Sequence, residues 1–172
     1  MVKNLRISFG LPTPILATNI LTIDPGSRAI GTAYFEDGEL VLSKEIKSSS
    51  KFLTCRLDNI LTSICENYLT AKPDVIVIEF GGQIRFKGRD PHGIRVHDYA
   101  AGYISSGLSA FFQKPLVLIP PTTWKSNKPK NLLTRQISLE FNREIGEDEA
   151  HAIALGLWYL RQVKLNQLTV SA

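Results

Sequence analysis

Residues 74–79 read "DVIVIE": four consecutive β-branched residues closed by a carboxylate, with Pro73 ahead and Gly81-Gly82 just beyond. A run this short and this uniformly apolar predicts a strand buried on both faces, the mark of a parallel sheet covered by helices. Parallel neighbours must be joined by a crossover, so the chain needs helices before and after this strand. It has them. Leu53, Leu57, Ile60, Leu61, Ile64 and Tyr68 recur at helical spacing upstream. Residues 96–112 predict a second helix, with Gly102, Ser106 and Ala110 spaced four apart in a small-residue line. Such a line lets a helix approach a partner chain or lie flat on its own sheet. "PLVLI" is another buried strand, closed by Pro120-Pro121; residues 131–143 predict a helix, and "DEAHAIALGLWYLRQ" an apolar final one.

The first part of the chain obeys a different rule. Residues 20–23 and 30–36 read as strands. Asp37-Gly38 is a hairpin signal, and "ELVLSKEI" after it alternates as a partner strand should. The expected architecture is α/β: a mixed five-stranded sheet, an antiparallel meander followed by parallel crossover strands, flanked by helices. One domain over residues 20–163 is expected, with an N-terminal arm (1–19) and a C-terminal tail (164–172). The arm is basic, and Pro12 and Pro14 break its apolar part, so it reads as peripheral rather than as a secretory signal.

Composition narrows the partners. With 44% hydrophobic and 21% charged residues, the 172-residue chain is globular rather than disordered. A formal charge of +4 leans toward an anionic partner. Cys55 and Cys65 form no CxxC pair, which argues against a disulfide framework or a zinc site. No apolar run reaches membrane-spanning length.

Carboxylates then appear where they are least expected. The strand at residue 20 ends in Asp24, followed by Pro25-Gly26, and the strand at 74–79 ends in Glu79. If these strands are parallel neighbours, two carboxylates lie side by side and repel one another unless a cation stands between them. The final helix opens with Glu147, Asp148 and Glu149, and Asp148 and His151, three apart, share a face. Each has a plain explanation alone: Asp24 caps a turn, the acids favour a helix N-terminus, and His151 is a hydrogen-bonded core histidine.

"IDPGSRAIG", the strand-terminal "VIVIE" and "DEAHAIALG" together resemble the RuvC family of Holliday-junction resolvases, in the ribonuclease H-like superfamily; the resemblance spans residues 20 to about 162. It implies a metal-dependent endodeoxyribonuclease that resolves four-way DNA junctions by paired symmetric nicks. It implies Asp24, Glu79, Asp148 and His151 as catalytic metal ligands for two Mg²⁺ or Mn²⁺ ions. Where the common pattern ends Asp-x-x-Asp, this chain has His151, either a ligand, more readily accepted by Mn²⁺, or a proton acceptor for the attacking water. Glu149 is an alternative ligand and Glu147 a weaker one. Neither a small-molecule cofactor nor a membrane is implied.

Arg85, Phe86, Lys87, Arg89 and Arg95 follow Glu79, cations with an interleaved aromatic suited to phosphate contact and base stacking at a branch point. The resemblance implies a second DNA-facing set in Lys125, Lys128, Lys130 and Arg135, beside a Trp124 that packs or stacks. The two-fold symmetry of a four-way junction implies a homodimer. A cytoplasmic, nucleoid-associated location is expected, with an organelle or phage origin left open. The alternatives are a YqgF-like nuclease acting on structured RNA, a non-catalytic junction-binding scaffold, and an actin-like ATPase, which needs two such domains.

Overall fold

The computed structural model describes residues 7–9, 19–81, 91–125 and 129–170. In chain order its elements are β1 (Ile7–Phe9), β2 (Ile20–Asp24), β3 (Ala29–Glu36), β4 (Glu39–Lys47), α1 (Leu53–Asn67), β5 (Val75–Glu79), α2 (Pro91–Phe112), β6 (Leu116–Ile119), α3 (Pro121–Trp124), α4 (Lys130–Glu140) and α5 (Glu147–Val170). The strands form one sheet in the order β1-β6-β5-β2-β3-β4. The meander β2-β3-β4 is antiparallel, whereas β5 runs parallel to both β2 and β6.

The five expected strands are thus present in the expected senses, and a sixth joins them. β1 comes from the segment read as an arm and pairs parallel with β6 at the edge. The hairpin between β3 and β4 turns on Asp37 (φ 50°) and Gly38 (φ 86°), the two left-handed residues of a tight two-residue loop. Three helical details were not anticipated. α2 begins at Pro91 rather than 96, α3 makes one turn from Pro121, and α5 continues into the segment expected as a tail.

Strand alternation divides the core in two. Ile20 on β2, Val75 and Val77 on β5, and Val117 and Ile119 on β6 face α5, joined by Ala33 and Phe35 of β3. Leu21, Ile23, Ile76 and Ile78 face the other way, toward Ile60 and Ile64 of α1 and Ile104 and Leu108 of α2. Each such side chain, fully withdrawn from water, stabilises the fold by about 1.5–3 kcal/mol before entropy is counted. Thr22, Asp24 and Glu79 take the α5 face by the same alternation. Gly102, Ser106 and Ala110 lie on the exposed side of α2, so the small-residue line does not seat this helix on its own sheet.

α5 is held close to the strands. A β-carbon on Gly31 would lie 1.7 Å from the Asp148 carbonyl oxygen, and one on Gly156 would lie 2.1 Å from the Phe35 ring. Between them the buried Thr22 hydroxyl sits 2.7 Å from the Ala152 carbonyl and 3.1 Å from that of Ala33, tying helix to sheet. The turn after β2 is tied down as well: the Arg56 guanidinium donates to the Ser27 carbonyl at 2.9 Å and to those of Ser50 and Lys51 at 2.9 and 3.0 Å.

Gly31→Ala is expected to lift the first turn of α5 and to lower the unfolding free energy by about 3 kcal/mol, the upper part of the usual overpacking range. Urea denaturation measures this; an unchanged midpoint would show that the helix can shift at no cost.

Candidate active site

The parallel register Ile23↔Ile78 leads directly into the next pair of positions, Asp24 on β2 and Glu79 on β5. Both carboxylates are nearly withdrawn from water, at 7% and 6% exposure. α5 supplies the third group. His151, 1% exposed, directs Nδ1 to Asp24 Oδ2 at 3.1 Å. With the carboxylate accepting, Nδ1 carries the proton, and Nε2 is buried without a hydrogen-bond partner. Trp124 packs edge-on against the imidazole, with ring centroids 6.3 Å apart, so this tryptophan belongs to the core beneath the site.

The fourth group enters from the end of β6. Lys125, directly after α3, places its ammonium 2.9 Å from Glu79 Oε1 and 2.8 Å from Oε2. The same ammonium stands 4.9 Å from the centroid of the Trp124 ring. Burial first, and the charge of Asp24 second, push the Glu79 carboxyl above its ordinary value; Lys125 and His151 pull it back only in part.

No family model matches the chain, and no curated protein matches it. Solved structures do. Thermus thermophilus RuvC in complex with a Holliday junction substrate superposes with a TM-score of 0.66 at 17% identity, covering 84% of this chain and 96% of that one. A second T. thermophilus RuvC structure gives 0.64 at 17% identity with the same coverage. The yeast mitochondrial Holliday junction resolvase Ydc2 gives 0.61 at 13% identity, covering 90% of this chain and 83% of its own.

The fold is that of RuvC.

Within this RuvC fold three of the residues expected at the site stand together. Asp24, Glu79 and His151 meet, with Lys125 among them. Asp148 opens α5 against β3, its carbonyl beside Gly31, and its charge reaches Lys47 of β4, whose ammonium is held up first by Glu45 at 2.9 Å. Glu149 is engaged elsewhere. Its Oε1 accepts from Ser43 Oγ and from Arg143 Nη2, both at 2.7 Å, clipping the start of α5 to β4. These bonds commit that oxygen of Glu149 to Ser43 and Arg143. Arg95 is exposed on α2 and Lys130 opens α4, while Arg85, Phe86, Lys87, Arg89 and Lys128 lie outside the described residues.

Two site residues went unrecognised from sequence. Lys125 reads from sequence as one of the DNA-facing cations, and its bond to Glu79 spans 46 residues with no spacing signal. Thr22, two residues before Asp24, reads as an ordinary strand threonine, yet it seats the helix that carries His151.

Among the described residues, no group of three His, Cys, Asp or Glu side chains stands ready to hold a metal ion. The donors nevertheless suit a divalent cation in kind. Two buried carboxylates sit side by side, one with its proton held abnormally tightly, next to an imidazole whose second nitrogen is unpartnered. What stands on Glu79 instead is the Lys125 ammonium.

The raised Glu79 value has a thermodynamic sign. The folded chain keeps this proton to a higher pH than the unfolded chain does, so its stabilising contribution is complete below the ordinary value of 4.5 and is lost as pH climbs through the raised one. Glu79→Gln has no such proton to lose. The stability of the wild type relative to this variant is therefore expected to fall as pH rises above the ordinary value of 4.5. Chemical denaturation in the presence of a chelator measures it, and a difference independent of pH would refute it.

Proposed function

We propose that this chain is a metal-dependent endonuclease that resolves four-way DNA junctions by paired symmetric nicks. The observation that carries the reading is the in-register pair Asp24 and Glu79, roofed by His151 from α5. Support also comes from the fold, shared with a RuvC solved on a Holliday junction substrate.

In this reading Asp24 and Glu79 hold two divalent ions, Mg²⁺ or Mn²⁺, with Asp148 and His151 completing the set. Such ions supply Lewis acidity at the scissile phosphate and the means to ionise water near neutral pH. The chain's own residues do the rest. His151 holds the Asp24 carboxylate in one orientation through Nδ1, and the Thr22 bond keeps α5 at the height this needs. Trp124 and the apolar side chains of the α5 layer exclude water behind the carboxylates. A water oxygen bonds to phosphorus as the bond to the 3′-oxygen breaks, leaving a 5′-phosphate and a 3′-hydroxyl. No nucleophilic side chain is required. The basic segment after Glu79 and the cations after β6 are assigned to the DNA backbone, and a two-fold homodimer to the paired cuts.

A junction-binding scaffold without cleavage is the second reading. Lys125 favours it, because an ammonium on both oxygens of Glu79 is also what a permanently metal-free site would show.

An immobile four-way junction, a linear duplex and a structured RNA, each incubated with Mg²⁺, Mn²⁺ or a chelator, separate the readings. Symmetric metal-dependent nicks confined to the junction are expected. Asp24→Asn is expected to lose more cleavage than the ~10–100-fold that removal of an outer partner costs, while still binding the junction in a gel-shift assay. Binding without cutting under every metal would establish the scaffold, and cutting of RNA alone would move the substrate class.

A further inference from the structure

Asp24 and Glu79 pose a charge problem that the fold must solve before any ligand arrives. Two buried carboxylates on adjacent strands destabilise one another, and burial penalises the charge of each. Among the described contacts the pair is met from two sides: the His151 imidazole bonds Asp24 at 3.1 Å, and the Lys125 ammonium reaches both Glu79 oxygens at 2.9 and 2.8 Å. The Lys125 ammonium hydrogen-bonds Oε1 and lies 2.8 Å from Oε2, which has no hydrogen-bond partner of its own, so a cation approaching Glu79 meets a like charge already in place.

The lysine is also built to leave. Its backbone is anchored, because Trp124 immediately before it is 7% exposed and packs under the site. Its side chain is not enclosed: it is 18% exposed, against 8% for the Glu79 side chain it holds. The Trp124 ring, 4.9 Å from the ammonium, gives the charge a second partner that does not depend on Glu79. A flexible four-carbon stem on a fixed base can therefore exchange one partner for another without moving the sheet.

We propose that Lys125 is the resident counter-ion of the carboxylate pair, standing in for a divalent cation in the metal-free protein and surrendering Glu79 when one binds. The inference rests on the proposed metal-dependent reading of the site. It adds that metal and ammonium compete for one carboxylate, so loading is weakened by Lys125 and loading releases a positive charge at the mouth of the site. A negatively charged backbone brought there would take up the freed ammonium, and by linkage would favour the metal-loaded form.

The test is binding of Mn²⁺ alone, without DNA, to the full chain, followed by calorimetry or by the electron paramagnetic resonance signal of free Mn²⁺. Lys125→Met removes the competitor and is expected to bind Mn²⁺ about tenfold more tightly than the wild type, the worth of one charge-assisted hydrogen bond. Lys125→Arg presents a fork that grips both carboxylate oxygens, so it is expected to bind Mn²⁺ more weakly than the wild type. Mn²⁺ is also expected to raise the melting temperature of Lys125→Met more than that of the wild type. Equal or weaker binding by Lys125→Met overturns the proposal. If that variant does not fold, equal or tighter binding by Lys125→Arg overturns it. Asp24→Asn separates this failure from that of the underlying reading: if it binds Mn²⁺ as the wild type does, the ion is not held at this carboxylate pair and the metal assignment itself is lost.

Discussion

The Asp148 carbonyl occupies the space a side chain on Gly31 would need, and this contact sets how far α5 stands above β2 and β3. Thr22 reinforces it with a bond to Ala152, and Gly156 repeats it where the helix passes Phe35. The helix is nearly apolar all round in this stretch because it is enclosed, with the sheet beneath and α4 beside it. A well-packed interior has few soft directions. The height of α5 is therefore a rigid parameter, and the bond from His151 to Asp24 is one of its products.

A second property follows from where the charges are placed. The strands deliver carboxylates into the same layer that the apolar side chains of β2, β5 and β6 fill, at its one polar end. Burial works against the charge of Glu79 there, and the neighbouring Asp24 carboxylate adds to it. A fold tolerates such a cluster when positive or hydrogen-bonding groups close it, and this one uses an imidazole from α5 and an ammonium from the end of β6. Both arrive from elements remote in sequence, so the site forms only when the whole sheet does. Glu149, two residues before His151 and directed to β4, shows the contrasting case. With Arg143 and Ser43 around it, it is a satisfied structural clip.

What could be read from sequence was whatever depends on period and on strong punctuation. "VIVIE" and "ILTID" announce buried strands by composition, and Asp37-Gly38 announces its hairpin by the backbone it requires. The α1 stripe appears as Leu57, Ile60 and Ile64, buried as spaced. The adjacency of Asp24 and Glu79 was open to expectation from topology, the first crossover strand being a natural neighbour of the meander's first strand, and the parallel pairing of β2 with β5 bears it out. β1 was not legible. Three residues at a parallel edge need neither alternation nor a turn signal, and the pairing with β6 is made across more than a hundred residues. Among the acids of α5, spacing alone gave three candidates. The choice between them is made by rotation of the helix on the sheet, which turns Glu149 toward Ser43 and His151 toward Asp24. Lys125 illustrates the same limit, because a surface lysine and one paired with a buried carboxylate look alike until the partner is in view.

The alternation that aims Asp24 and Glu79 also restricts how this chain can vary in length. Each strand has only two settings, and adding or deleting a single residue inside β2 or β5 would exchange them, turning the carboxylate into the apolar layer formed with α1 and α2. Changes in length are tolerated only outside these two five-residue segments, in the connections, where an extra residue moves nothing across the sheet. Descendants of this chain are thus free to lengthen their loops and remodel their tips, while the spacing from the start of each of these strands to its acid stays constant.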